Sequence, residues 1–366
     1  MSKPLGVGLI GCGAISGEYL KRARQFPILR VVAAADIKPD VAKAKAAEWG
    51  IPKSCSVEEL LADPQVEVVL NLTVPKAHGP VALASLDAGK HIYMEKPLAI
   101  TRADGLAIMA KARDKNLRVG CAPDTFMGSG IQTARHAIDA GRIGRPVAFE
   151  AFMMCPGHES WHPSPEFHYQ VGGGPMYDMG PYYLTALLNL LGPVKRLCGL
   201  ATIEIPRRIA TSASKYGVVM DVQTPDHVLG LMEFQNGAAG TIVQSFATWH
   251  GLNGVLTIHG TEGAIQVPDP NRFDGVVKFR GKDDKDWIDL PPVFSHDYGR
   301  AVGLAEMAKA IRSGREFRAT GEQGMYVLDL MQGFLDSSEQ GRHYQPSTQY
   351  LRPQPMPVGK EFGVFA

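Results

Sequence analysis

Gly11-Cys12-Gly13-Ala14-Ile15-Ser16 sets two glycines and a small residue at the spacing G-x-G-x-x-G/A, with Ser at the last small position. The first glycine permits a tight turn, the second lets backbone approach a diphosphate, and the sixth residue must be small where a helix meets a strand. The N–H groups at the start of that helix would face phosphate oxygens. Asp36 follows 23 residues after Gly13, at the end of Ala34-Ala35-Asp36, where a carboxylate accepts hydrogen bonds from ribose hydroxyls. Together these features predict dinucleotide binding by Gly11, Cys12, Gly13, Ala14, Ile15, Asp36 and Ile37. The charge of Asp36 opposes a 2′-phosphate, so NAD is expected ahead of NADP.

Two later strand ends carry polar groups, Thr73-Val74-Pro75-Lys76-Ala77-His78 and Glu95-Lys96-Pro97. Open α/β sheets bind ligands at this carboxyl edge, which assigns Thr73, Pro75, His78, Glu95 and Lys96 to the cofactor side. A lysine takes a proton near neutral pH only when burial or nearby positive charge lowers its pKa, a condition that a closed cleft meets. Farther on, Gly172-Gly173-Gly174 leads to Tyr177, Asp178 and, four residues later, Tyr182. One helical turn would put Asp178 and Tyr182 on a common face. Trp161, His162 and His168 precede the glycines. Aromatic faces cover C–H surfaces and imidazoles bond hydroxyls, so this loop reads as a wall for a polyhydroxylated substrate. His158-Glu159-Ser160-Trp161-His162 also matches H-E-x-x-H, which binds zinc from a helix. Pro156-Gly157 before it and Pro163-Ser164-Pro165 after it oppose a helix, and no metal is expected.

These residues need a frame. Residues 1–123 alternate β-branched runs with amphipathic segments, predicting a doubly wound parallel sheet. Its strands are expected over 5–10, 30–35, 67–72, 91–95 and 118–121, and its helices over 38–49, 77–88 and 102–115. Residues 124–345 predict an α+β domain with one large, mostly antiparallel, open-faced sheet. Its strands fall over 147–154, 228–234, 240–248 and 255–259, with turns at Asn236-Gly237 and Glu262-Gly263. Helices are expected over 131–140, from Gly174, and over 298–313 and 321–338. Residues 346–366 form a proline-rich tail. With 38 Lys+Arg against 37 Asp+Glu, the chain lacks the field that drives nucleic-acid binding. Five cysteines without a C-x-x-C pair indicate neither a disulfide framework nor a Cys zinc site, and fit a reducing cytoplasm. The apolar helical stretch 182–191 is too short to span a bilayer, so no membrane partner is expected.

Residues 11–16 with Asp36, Pro75-x-x-His78, Glu95-Lys96-Pro97, the run from Gly172 to Gly180, and Arg318-Ala319-Thr320-Gly321-Glu322 make this chain resemble one family. It is the glucose-fructose oxidoreductase/inositol dehydrogenase/MocA (Gfo/Idh/MocA) family of nicotinamide-dependent oxidoreductases, and the resemblance covers nearly the whole chain. It implies a Rossmann domain, a substrate-binding and oligomerisation domain, and homodimers or homotetramers. It implies hydride transfer between a sugar, cyclitol or related polyol carbon and nicotinamide, with Lys96 beside the reacting oxygen and a cis bond before Pro97. Such proteins usually carry His four residues after the Asp. Here Tyr182 stands there, so the imidazole base does not carry over; Tyr182 is expected to relay the proton or to donate a hydrogen bond to the developing alkoxide, and Asp178 to orient the substrate hydroxyl or Lys96. Lys76 replaces a frequent Asn, and Trp161-His162 a frequent Trp-Arg. Two alternatives are a redox-assisted glycoside-processing enzyme that recycles NAD, and a catalytically silent NAD-sensing regulator, which the presence of Lys96 and Asp178 opposes.

Overall fold

The computed structural model describes residues 3–249 and 254–366. The first sheet comprises β1 (Leu5–Ile10), β2 (Leu29–Ala35), β3 (Lys53–Ser54), β4 (Val68–Asn71), β5 (His91–Met94) and β6 (Val119–Cys121). All neighbours are parallel, in the order β3-β2-β1-β4-β5-β6. β1, β4 and β6 are buried along their full length, as befits a parallel sheet covered on both faces. The strand order reverses between β1 and β4, which opens a crevice at the carboxyl ends. The helices are α1 (Ala14–Ala23), α2 (Pro39–Trp49), α3 (Val57–Ala62), α4 (Pro75–Asp87) and α5 (Arg102–Asp114). α4 starts two residues before the expected position because Pro75, preset in φ and lacking an N–H, suits the first helical turn. Ser56 caps α3 in a reciprocal box with Glu59, and Thr101 caps α5.

The second sheet follows α6 (Ser129–Asp139) and includes β7 (Pro146–Met154). Two short helices, α7 (Gly174–Asp178) and α8 (Gly180–Leu191), lead to β8 (Val194–Thr202), β9 (Arg207–Ile209), β10 (Val219–Asp221), β11 (His227–Phe234) and β12 (Ala239–Ser245). Then come β13 (Val255–Gly260), β14 (Gly263–Val267), β15 (Val277–Gly281) and β16 (Ile288–Leu290). The order is β16-β15-β14-β13-β7-β12-β11-β8, antiparallel except at β12 and β7, while β9 and β10 pair separately. Among the strands that were not anticipated is β8. It carries Lys195 and Arg196, both paired with Glu233 of β11, as an edge strand does. On β11 the residues alternate, with Val228, Met232 and Phe234 buried and Leu229 and Leu231 exposed.

α9 (Val302–Ser313) and α10 (Gly321–Gln340) follow. α9 starts four residues later than expected, since Ala301 is left-handed at φ 77° and cannot continue a helix. Two compact units result, one holding residues up to 127 with 298–328 and 360–366, the other 128–297 with 329–359. They interleave where a cut after 123 and a separate tail from 346 were expected. In the first unit, β6 meets residue Ala319 through Cys121 N–H, and Phe362 stacks on Phe26 and Tyr298 at 5.1 and 5.0 Å. In the second, α10 lies so close to the sheet that a Cβ on Gly230 would come within 2.4 Å of the Phe334 ring. Among the described residues no helix is long and apolar enough to cross a membrane.

Candidate active site

In the first unit the glycine turn is set by backbone geometry. Gly11 has φ +95°, and a Cβ there would lie 2.6–2.7 Å from the backbone of Leu72 and Thr73. Gly13 caps α1, and a Cβ on it would meet nothing within 4 Å, which leaves the first helical turn open. Ser16 is fully buried and donates its hydroxyl to Gly13 O at 2.6 Å. Asp36 accepts from Cys12 N at 2.8 Å and from Lys38 N at 2.9 Å, one on each oxygen. Each oxygen retains a lone pair for a ribose hydroxyl. Ile37 and Val74 are 94% and 59% exposed beyond the ends of β2 and β4, the two strands that flank β1, apolar surface suited to a flat ring. Burial and then Asp36 push the Cys12 thiol up to about 11, so Cys12 offers its N–H and not a thiolate. This cradle fits an adenine dinucleotide, which Gly11, Cys12, Gly13, Ala14, Ile15, Asp36 and Ile37 would hold.

Two residues assigned to the cofactor side also brace the strand ends. His78 is 1% exposed, with Nδ1 2.6 Å from Pro97 O and Nε2 3.0 Å from Thr73 O, so its ring ties two strand-end loops together. Burial lowers its pKa although both carbonyls favour the charged ring. Glu95 is interior as well. Its Oε1 accepts from Tyr19 at 2.9 Å and Arg300 at 3.2 Å, and its Oε2 from Lys96 N at 3.0 Å. Burial opposes its charge, but Arg300, Lys96 and Tyr19 prevail and hold the carboxyl below its ordinary range. Thr73 donates N–H and hydroxyl to Asn71 Oδ1 at 3.2 and 2.7 Å. The Lys96-Pro97 bond is cis and Lys96 is half-buried.

In the second unit three segments converge. After β7, Gly157 adopts φ +105°, and a Cβ there would strike Glu159, Tyr169 and Arg208 side-chain atoms at 2.4–2.7 Å. Arg208 donates to Pro156 O and Glu159 Oε1 at 2.9 and 2.6 Å, and to Asp226 Oδ2 and Phe246 O at 2.8 and 2.6 Å. Tyr169 donates to Glu159 Oε2 at 2.6 Å and accepts from His158 N at 3.0 Å. The loop so fixed sets His158 Nε2 at 3.1 Å from Asp178 Oδ2. His168 comes from a 3-10 turn, Pro165–Tyr169, with Nδ1 3.6 Å from the same oxygen. A Cβ on Gly173 would lie 2.5–2.6 Å from Phe167 O and His168 O, so the glycines let α7 begin directly against that turn. Two imidazole nitrogens and one carboxylate oxygen thereby lie within 4.8 Å of one another, a set able to hold a metal ion.

Asp178 and Tyr182 sit on successive helices and not on the single one expected. Pro181 has no N–H to bond the Tyr177 carbonyl, and the helix breaks at Met179. Tyr177 and Tyr182 are both buried. Trp161 is 63% exposed and sits edge-on to His158 and His162 at 5.1 and 5.3 Å. His162 Nδ1 accepts from Ser164 N at 3.0 Å, and burial lowers its pKa. Residues 158–162 form one turn without a helix, and Glu159 is spent on Arg208 and Tyr169, so the H-E-x-x-H motif is not a protease zinc site. Its first histidine nonetheless lies in the cluster, which the substrate wall read from the sequence had left out.

A Rossmann unit with a nucleotide cradle, joined in one chain to a large mixed sheet, defines a dinucleotide-dependent oxidoreductase. The family model described as oxidoreductase family, NAD-binding Rossmann fold, matches residues 5–122, and that of the GFO/IDH/MocA C-terminal domain matches 131–266. The chain belongs to the Gfo/Idh/MocA family. It is 29% identical to 1,5-anhydro-D-fructose reductase of Ensifer adhaerens over 88% of this chain and 92% of that one. It is 28% identical to levoglucosan dehydrogenase of Pseudarthrobacter phenanthrenivorans over 90% and 93%. The solved structure of a levoglucosan dehydrogenase in complex with NADH and levoglucosan superposes with a TM-score of 0.81 at 23% identity, over 94% of this chain and all of that one.

Proposed function

We propose that this protein is an NAD-dependent dehydrogenase or reductase acting on a sugar, cyclitol or related polyol. The carrying observation is the wall around Asp178. His158 and His168 stand against its carboxylate, Trp161 packs on His158 and Phe246 on both imidazoles, with ring centroids 4.3–6.3 Å apart, the mixture of apolar faces and imidazoles that a polyhydroxylated ring requires. Relatives similar over most of the chain's length are named for an anhydrofructose, levoglucosan and inositols, which supports this substrate class.

When bound, the nicotinamide supplies the hydride acceptor or donor. The chain's own residues bind, orient and move one proton. Lys96 takes the hydroxyl proton, its backbone fixed by Glu95 and the cis proline turn. Asp178 orients the substrate hydroxyl, and Tyr182 supports it by hydrogen bonding. Asp36 selects NAD over NADP, because its carboxylate stands where a 2′-phosphate would add like charge. Five free cysteines fit a reducing cytoplasm.

The apolar row Leu200, Leu229, Val243, Phe152 and Val255, each paired with the next across neighbouring strands, favours a homodimer or homotetramer built on the open sheet face. Leu200 is 55% exposed on this face. Incubation with NAD and a panel of pyranoses, anhydrosugars and inositols should give NADH with at least one member. Glycoside cleavage without net NADH would replace this reading with the redox-assisted one, and no turnover in either direction across the panel would overturn it.

A further inference from the structure

We infer that His158, His168 and Asp178 form a binding site for a divalent first-row transition-metal ion. Three donors, two imidazole nitrogens and a carboxylate oxygen, lie within 4.8 Å of one another. That is the donor set of three-ligand centres such as His₂Glu zinc sites, which keep positions open for water or substrate. Imidazole donors select zinc, cobalt, iron or nickel over magnesium and calcium, which favour oxygen.

The frame is built as such a site requires. The ligands come from three segments that one set of contacts braces together. Arg208 and Tyr169 clamp the His158 loop through Glu159. The 3-10 turn carries His168, whose ring nitrogens are shut from water. The close approach of Gly173 to that turn sets the start of α7 and hence Asp178. The two imidazole rings cross at 67° with centroids 4.3 Å apart, and Phe246 packs on both. Ring packing thus holds the side chains where metal coordination needs them. Of the H-E-x-x-H motif only His158 takes part. Its fellow ligands are His168 and Asp178, and the sequence offered no spacing rule for that set.

Two neutral imidazoles and one carboxylate leave a divalent ion with a net positive charge and vacant positions. Those positions suit two adjacent oxygens of a vicinal diol. The further consequence, that the ion acidifies the hydroxyl to be oxidised, rests on the function proposed above. On that reading the hydroxyl would lose its proton to the base of the proposed reaction and its C–H hydrogen as hydride to bound NAD, a C=O bond would form, and the ion would keep its oxidation state.

The test begins with metal binding alone. Tag-free full-length protein, stripped with dipicolinate, is titrated with Zn²⁺ by calorimetry and with Co²⁺ by visible absorption. One ion per chain and the absorption bands of nitrogen- and oxygen-ligated Co²⁺ are expected. His168→Phe and Asp178→Asn should each weaken Zn²⁺ binding by about 100-fold or more while NADH binding by the first unit persists. Should either variant misfold, Zn²⁺ protection of His158 from diethylpyrocarbonate in the unaltered protein gives the same answer by mass spectrometry. No stoichiometric uptake, or uptake that both variants leave unchanged, overturns the site. Because these readouts need no substrate, a failed substrate panel leaves the metal inference standing. Turnover that survives stripping, with no uptake, removes the metal and keeps the dehydrogenase.

Discussion

At the carboxyl edge of the first sheet, Gly11, Asp36 and Thr73 are each placed by the strand just before them and held by groups at most 24 residues away. In the second unit His158 has its own turn and Tyr169 beside it, but the loop that carries it is anchored from farther away. Its loop hangs on Arg208, 49 residues beyond Glu159, and on Asp226, which Arg208 also grips. The first arrangement is a set of separate fixtures on a common edge, and losing one fixture should spare the others. The second is a single clamp, and its failure should release all the groups it positions. That contrast is open to direct attack by substitution.

The largest expected effect belongs to the first region. Lys96→Met should lower kcat about a thousandfold, the size of a lost acid–base group, and leave NADH affinity within a few fold in a fluorescence titration. The cradle at Gly11, Gly13 and Asp36 would be untouched. Turnover within tenfold of the unaltered protein would remove Lys96 from the chemistry, and a parallel loss of NADH binding would show that the fixtures are not separate.

Arg208→Leu attacks the clamp. The Arg208 side chain is 2% exposed, and those of its partners Asp226 and Glu159 are 0% and 16% exposed. Removing one partner of a buried pair strands the remaining charges, at a cost of about 3–5 kcal/mol. Denaturant unfolding should show that loss, and the His158, His168 and Asp178 cluster should lose its function along with the stability. A change below about 1 kcal/mol would mean that the loop is held by its backbone bonds alone.

How much of this was legible follows the same line. The glycine turn, Asp36 and the Lys96-Pro97 bend could be read because each is written in adjacent residues at fixed offsets from a strand. His78 and Glu95 were placed at their strand ends, and their inward bonding could not be read. Spacing tells which strand end a residue occupies but not whether its side chain turns inward, as Glu95 does to meet Arg300, 205 residues away. The substrate wall was found as a loop, yet His158 was set aside with the zinc motif, since its pairing with Asp178 depends on Gly173 packing against the turn of His168. The second sheet was read as a class, while β14 to β16 escaped because they are short and defined by their partners.

A titration probes the interior of the first unit. Asp124 is fully buried, accepts from Gly303 N at 3.0 Å, and burial raises its carboxyl from 3.8 to about 6. A raised folded-state pKa means that the protonated form favours the fold. Its contribution is complete below pH 3.8 and is lost as the pH rises through about 6. The difference amounts to about 3 kcal/mol. Asp124→Asn keeps an oxygen for Gly303 N and cannot ionise, so it should stabilise the protein at pH 8 by up to about that amount and gain nothing near pH 4. Denaturant midpoints across this range decide it; a pH-independent difference would assign the effect to packing.

The smallest effect is expected at Tyr182, and it tests whether the second unit's site includes the position where relatives usually carry histidine. Tyr182 is 4% exposed and follows the helix break that Pro181 imposes, so its ring is held by packing whether or not its hydroxyl meets substrate. Tyr182→Phe removes the oxygen alone. If the hydroxyl only supports a proton transfer performed by Lys96, kcat should fall less than about tenfold, which is below 1.4 kcal/mol. KM should change little, because Asp178 and the imidazoles remain. A loss as large as that of Lys96→Met would move the proton acceptor to Tyr182. No loss at all would make Tyr182 a core residue and leave His158, from a distant loop, as the group that took over the vacant imidazole's place beside Asp178.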